Sequence, residues 1–199
     1  MDRHAWDERY QGESLVWSAE PNRFLVAELD GLTPGRALDV ACGEGRNAIW
    51  LAEQGWTVTG VDFSEVGLDK ARRLAAARGV TVTWELADVT DYAPVREHFD
   101  LVIVLYLHLT ESPRRVVFGR AAAAVAPGGT LLVVGHDSTN PEAGWGGPRE
   151  PAVLYGPDEV AADLTGLDIV RATRVERPVP TDEGDKTAID ALVRATRPR

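Results

Sequence analysis

The sequence predicts an α/β fold: a seven-stranded, mostly parallel sheet with its last strand antiparallel and helices on both faces. Three observations carry this expectation. Short apolar, β-branched runs alternate with stretches of helical period through the first two-thirds of the chain, the pattern of strand–helix–strand units. One of those runs breaks into two closely spaced glycines and then into a helical stretch, at Leu38 to Ala48. Two final β-prone runs have only a short, turn-rich connection between them, which closes a hairpin but holds no crossover helix.

Residues 4–18 place Trp6, Tyr10 and Trp17 among charges, so a short helix and loop are expected there, covering a surface. Pro21 to Leu29 reads as a helix, with Pro21 in the first turn. Arg36 to Asp39 is the first strand, and a helix is expected from about Arg46 to Gln54, ended by Gly55. Trp56 to Val61 is the second strand. Ser64 is suited to cap a helix that runs to Arg78 on an apolar stripe of Leu68, Ala71, Leu74 and Ala75, with Gly79 as its stop. Val80 to Leu86 and Leu101 to Leu105 are strands three and four. A helix from about Pro113 to Ala126 precedes strand five, Thr130 to Val134. The proline- and glycine-rich segment 136–156, with Trp145 and Tyr155, is too long for an ordinary connection and is expected to be a substrate loop. Leu167 to Val175 and Thr187 to Thr196 complete the sheet.

The glycine segment is a ligand cradle. Glycine tolerates sharp turns and close approach to main-chain N–H groups, and the helix that follows offers free donors. Gly43-x-Gly45-x-x-Ala48 satisfies the dinucleotide pattern G-x-G-x-x-G/A, which alone is a weak signal. The acids Asp39, Asp62 and Asp88 close three successive strands, and in an open parallel sheet such ends meet at the crevice where ligands bind.

Composition narrows the classes. The 199 residues suit one domain, and 44% of them are hydrophobic. A net charge of −10 argues against a nucleic-acid partner, which needs a basic face. The single cysteine, Cys42, excludes an internal disulfide and suits a reducing compartment. The N-terminal residues lack a signal-peptide core and no run approaches ~20 apolar residues. A cytoplasmic protein without a membrane partner is expected, with no metal ligands singled out.

Leu38-Asp39-Val40-Ala41-Cys42-Gly43-Glu44-Gly45, Val61-Asp62, Ala87-Asp88-Val89 and Pro127-Gly128-Gly129-Thr130-Leu131 resemble, in that order, the motifs of the class I S-adenosylmethionine-dependent methyltransferases. Ala41 departs from them, standing where the family often has a glycine. Trp6-Asp7-x-Arg9-Tyr10, Trp17-Ser18-x-x-Pro21-Asn22 and Cys42 to Ala48 are similar to the small bacterial tellurite-resistance and thiopurine-type enzymes. The resemblance implies a Rossmann-like sheet, S-adenosylmethionine as cofactor and a small-molecule acceptor, a thiol or another soft nucleophile. It implies Asp62 on the ribose hydroxyls, Asp88 and Val89 on the adenine edge, and Phe63 against the ring. Asp39 would orient the methionine amino group, Ala41, Gly43 and Gly45 line its approach, and Arg46 and Asn22 meet its carboxylate. Leu105 and Trp17 complete the cofactor set. His108, Tyr106 and His136, just past strands four and five, are the catalytic candidates, since a nucleophile that carries a proton needs a base. Trp6, Tyr10 and Trp17, within an N-terminal cap over residues 1–18, are expected to close as a lid. A non-catalytic S-adenosylmethionine or nucleotide binder and a nicotinamide oxidoreductase remain as alternatives. The latter would need a catalytic segment for which 199 residues leave little room.

Overall fold

A computed structural model describes residues 3–199; Met1 and Asp2, the first residues of the expected cap, lie outside the described residues. The strands are β1 (Arg36–Val40), β2 (Thr57–Asp62), β3 (Thr83–Leu86), β4 (Phe99–Leu105), β5 (Val125–His136), β6 (Asp168–Val179) and β7 (Lys186–Thr196). They form one sheet in the order β3-β2-β1-β4-β5-β7-β6. The first five are parallel, and β7 enters between β5 and β6 antiparallel to both. The expected hairpin therefore forms, with β6 at the edge of the sheet. The strand order reverses between β1 and β4, the point at which sheets of this kind hold ligands beyond the carboxyl ends of their strands.

Helices α1 (Arg3–Tyr10), α2 (Arg23–Glu28), α3 (Arg46–Glu53), α4 (Glu65–Ala77), α5 (Glu111–Ala124), α6 (Asn140–Ala143) and α7 (Pro157–Asp163) complete the fold. Their ends follow from local chemistry. Asn22 caps α2 by accepting from the N–H groups of Phe24 and Leu25, and Ser64 caps α4 by accepting from Gly67 N–H. Alternate strand residues face opposite layers. Leu38, Val102 and Val104 pack with Phe118 of α5 and Val160 of α7. Ala37, Leu101 and Ile103 pack with Leu25 of α2 and Leu51 of α3. Burying a side chain such as Phe118 contributes about 2–3 kcal/mol.

The structure moves several expected boundaries. β3 begins at Thr83, β5 begins at Val125, and α5 spans Glu111–Ala124. Pairing of Phe99 with Val125 brings the residues before the Pro127-Gly128-Gly129 turn into the sheet. Helix α7 was not expected, although Gly156, Pro157 and Glu159 carry start signals: the Gly156 N–H donates to the Glu159 carboxylate. The 136–156 segment is ordered, holding α6 and a 3₁₀ turn at Pro151–Val153. Buried Asn140 pins it, donating to Gly146 O and accepting from Ile189 N–H of β7. Among the described residues, no helix is long and apolar enough to cross a membrane.

Candidate active site

The carboxyl ends of β1 and β2 form an acidic floor. Asp39 is 1% exposed, and its Oδ2 has no hydrogen-bond partner among the described residues. Burial pushes its carboxyl up to about 8, with Asp62 adding to the rise and the Ala48 N–H and Arg46 opposing it. Asp62 Oδ2 accepts from Gly43 N–H at 2.8 Å and Oδ1 from Ser64 N–H at 2.9 Å. Burial raises its pKa while those N–H groups, and that of Phe63, pull against the rise. The ends of β1 and β2 thus meet as expected, while Asp88, the third acid, lies two residues past the end of β3 and is exposed.

The glycines divide their work. Gly43, at φ 56°, would place a Cβ 2.8 Å from the Tyr10 hydroxyl, while Gly45, at φ 79°, would drive one into Trp84 and Ala71 at 2.5 and 2.8 Å. Gly45 is therefore required by the Trp84 ring and Ala71 side chain that fill the space a Cβ would take. Ala41 has φ 59°, a left-handed conformation that a Cβ penalises by about 1 kcal/mol. The sequence departs from glycine where the backbone most favours it.

Above the floor lies the N-terminal segment. Glu44, inside the glycine loop and 4% exposed, accepts from Val16 N–H at 3.0 Å and Trp17 N–H at 3.3 Å. Lys70 of α4 meets Glu44 at 3.0 Å and donates to Ser14 O at 2.8 Å. Asp7 of α1 accepts from the Ser64 hydroxyl. Tyr10 is buried and stacks on Trp6 at 5.4 Å, whereas Trp17 is 42% exposed, with the Arg9 guanidinium 4.9 Å from its ring. Tyr10 belongs to neither apolar cluster of the sheet.

At the ends of β4, β5 and β7 stands a second group. Tyr106 has φ 58°, and its hydroxyl donates to Asp190 Oδ2 at 2.7 Å. Arg177 Nε donates to the same oxygen at 2.7 Å and to the Tyr106 hydroxyl at 3.0 Å. His136 Nδ1 lies 3.2 Å from Asp190 Oδ1. Burial works to raise the Asp190 pKa, but His136, Arg177 and Tyr106 together hold it below the usual carboxylate range. His108 Nδ1 is 3.1 Å from Val153 O, and a carbonyl only accepts, so Nδ1 carries the proton and Nε2 is bare. Nε2 is buried without a partner; burial first, and His136 second, push the imidazole down to about 4. The His108 and His136 rings stack at 5.3 Å.

The remaining expected residues take intermediate positions. Asp88 is exposed and its Oδ1 accepts from Thr90 N–H and Oγ1, leaving Oδ2 free of that turn. Phe63 and Val89 are half-buried and Leu105 is buried. Asn22 spends its oxygen on the α2 cap, and its side chain also hydrogen-bonds Tyr106. Arg46 is half-buried, and its burial lowers the guanidinium pKa. Cys42 is buried, which pushes its thiol up. Glu44, Lys70, Asp190 and Arg177 were not expected. Asp190 had one signal, a charge inside the apolar run Ile189 to Val193.

Comparisons with known proteins agree with this geometry. Residues 37–129 match the model of a methyltransferase domain. A 2-heptyl-1-hydroxyquinolin-4(1H)-one methyltransferase of Mycobacteroides abscessus is 32% identical over 126 residues, 61% of this chain and 56% of that protein. The chain spans between 56% and 63% of the length of the curated relatives it first matches. A structure from work on the conversion of a disulfide bond into a thioacetal group during echinomycin biosynthesis has a TM-score of 0.79 at 26% identity, covering 98% of this chain and 91% of that one. NodS, an N-methyltransferase from Bradyrhizobium japonicum solved with S-adenosyl-L-homocysteine, has a TM-score of 0.73 at 19% identity over 99% and 98% of the two chains. TehB from Haemophilus influenzae, at 16% identity and a TM-score of 0.74 over 98% and 66%, shares the fold. With the acid-ended strands, the glycine loop and the inserted antiparallel strand, these matches show that residues 37–129 resemble a methyltransferase domain and that the chain shares the fold of S-adenosylmethionine-dependent methyltransferases.

Proposed function

We propose that this protein transfers the methyl group of S-adenosylmethionine to a small-molecule acceptor held beyond the carboxyl ends of β4 and β5. The observation that carries the reading is Asp39. A buried carboxylate oxygen without a partner, beside a second buried acid, calls for a cation. S-adenosylmethionine presents an ammonium and a sulfonium, whereas the pyrophosphate of a nicotinamide dinucleotide would meet two acids. The same acids would hold either charged form of the methionine end in one orientation, with Arg46 and the Asn22 amide on its carboxylate.

Asp62 keeps lone pairs for the ribose hydroxyls after accepting its two backbone N–H groups. Asp88 and Val89 would read the adenine edge, with Phe63 and Leu105 against the ring and Trp17 at the rim. The bound cofactor supplies an activated methyl group, so the protein's task is to align an acceptor and exclude water. Tyr106, His108 and His136 border the acceptor space, and the cap over residues 3–18 with the 136–156 loop would close it. The acidic floor makes a chalcogen oxyanion a poor match and leaves thiols, other soft nucleophiles and hydroxyl compounds.

Calorimetry with S-adenosylhomocysteine and with NAD tests the cofactor. A panel of thiols, phenols and chalcogen oxyanions, read by S-adenosylhomocysteine release, tests the acceptor. Binding of NAD with no response to S-adenosylhomocysteine would overturn the reading.

A further inference from the structure

Three candidates stand at the acceptor space, and the geometry separates them. Tyr106 donates its proton to Asp190, and burial, first among the causes, raises its pKa. That hydroxyl is committed as a donor. His108 is neutral with its proton on Nδ1, and an imidazole held near 4 is a weak proton acceptor at neutral pH. His136 differs from both. Register pairs it directly with Asp190 across β5 and β7, so the two side chains rise from neighbouring positions on one face of the sheet.

Asp190 is fully buried and fixed from behind by Arg177 and the Tyr106 hydroxyl. Its other oxygen, Oδ1, accepts from Arg177 Nη2 at 3.5 Å and lies 3.2 Å from His136 Nδ1. Among the described residues His136 Nδ1 makes no hydrogen bond, and the Asp190 carboxylate is an acceptor within reach of a proton on that nitrogen. Gly147 of the 136–156 loop lies against the same ring: a Cβ there would stand 2.7 Å from its carbons. The loop backbone thus covers one side of the imidazole and limits its rotation.

From this arrangement we infer that His136 is the general base of the reaction, oriented by Asp190 as a positioning residue, and that the acceptor is a hydroxyaromatic compound whose O–H is protonated when it binds. The inference rests on the proposed methyl transfer and sharpens its acceptor class. Asp190 draws the imidazole proton to Nδ1 and leaves the Nε2 lone pair for substrate, as a buried carboxylate orients a catalytic histidine. The acceptor O–H bond breaks and its proton passes to Nε2. The oxygen forms a bond to the methyl carbon as the S–CH₃ bond breaks, and that electron pair stays on sulfur. The imidazolium, steadied by Asp190, then returns its proton to water. An aromatic acceptor suits the rings of Tyr106, His136 and His108, which neighbour one another at 5.1 and 5.3 Å, and Arg177 and Arg46 favour an oxygen that is becoming an anion.

Two measurements test this. In the cofactor-free protein, the ¹⁵N shifts of His136 should show a protonated Nδ1 and a bare Nε2, and Asp190→Asn should shift that population toward the other tautomer. A wild-type His136 protonated on Nε2 overturns the inference, and the wild-type spectrum suffices if Asp190→Asn does not fold. In turnover with a series of substituted phenols, His136→Gln should lower kcat by about 10²–10⁴-fold for weakly acidic phenols. The loss should shrink steadily as the phenol's own acidity rises, with KM little changed. An equal loss across the series overturns the base assignment. Turnover of thiols with no turnover of any phenol overturns the acceptor class and leaves methyl transfer standing. Failure to bind S-adenosylhomocysteine removes the proposed function, and the tautomer measurement still decides the role of Asp190.

Discussion

Asp39→Asn should stabilise the cofactor-free protein at neutral pH while weakening cofactor binding. The carboxyl rises from 3.8 to about 8 on folding, because burial disfavours its charged form. Between those values the native state binds more protons at this site than the unfolded chain does, so stability falls as pH rises through the window. One proton's difference amounts to about 1.36 kcal/mol per pH unit, or roughly 2.7 kcal/mol between pH 5 and pH 7. Asparagine keeps an oxygen for the Ala48 N–H and carries no charge, so it lacks this slope. For a chain of this size, the Tm difference between the Asp39→Asn variant and wild type should widen by roughly 5–11 °C from pH 5 to pH 7. Differential scanning calorimetry without ligand measures it. The same logic governs binding: at pH 7 the free protein holds about nine-tenths of a proton on Asp39, and an arriving ammonium should expel it. Calorimetry with S-adenosylmethionine in buffers of different ionisation enthalpy should therefore show close to one proton released by wild type and almost none by Asp39→Asn. A Tm difference that does not change with pH, or binding without proton release, would refute the reasoning.

Two further substitutions probe the cradle. Ala41→Gly should raise stability by about 1 kcal/mol, since the left-handed φ of 59° no longer meets a Cβ; thermal unfolding reads this as a Tm gain of roughly 2–4 °C, and a loss would show that the methyl packs favourably. Lys70→Met leaves the Glu44 carboxylate buried with only two backbone donors and should cost about 3–5 kcal/mol. Amide hydrogen exchange at Val16 and Trp17 should quicken more than exchange in β4, and a uniform change would deny the cap its anchor at Glu44.

Local signals were legible in the sequence, and those that depend on register were not. Ser64 caps α4, Gly79 follows its end, and the alternation of Leu101 to Leu105 between the two layers is the pattern of a strand buried on both faces. The antiparallel pairing of β6 and β7 followed from a connection too short for a helix. Asp190 beside His136 exists only because β7 pairs with β5 at one register, and a shift of one residue would turn that carboxylate to the other layer. No sequence signal singled out Glu44 as an anchor for the cap. Its role comes from the backbone of residues 16 and 17, which no side-chain pattern announces. Gly45 carries the same lesson: the Trp84 ring that excludes a Cβ there comes from nearly forty residues later in the chain.

The unsatisfied groups gather at one edge of the sheet. Ala41 and Tyr106, two of the three non-glycine residues with positive φ among the described residues, follow β1 and β4 on either side of the point where strand order reverses. Asp39 Oδ2, His108 Nε2, His136 Nδ1 and Asp137 Oδ2, four of the five buried side-chain atoms without hydrogen-bond partners among the described residues, lie at the carboxyl ends of β1, β4 and β5. Such groups each oppose folding by about 1–3 kcal/mol. Chance would scatter them through a sheet of seven strands. Their concentration where the strands converge implies that the two apolar layers hold open an arrangement the edge would not adopt alone. It also explains why the predicted gain from Asp39→Asn and the predicted loss of binding come from the same atom: the oxygen that destabilises the empty protein is the one that meets the cation.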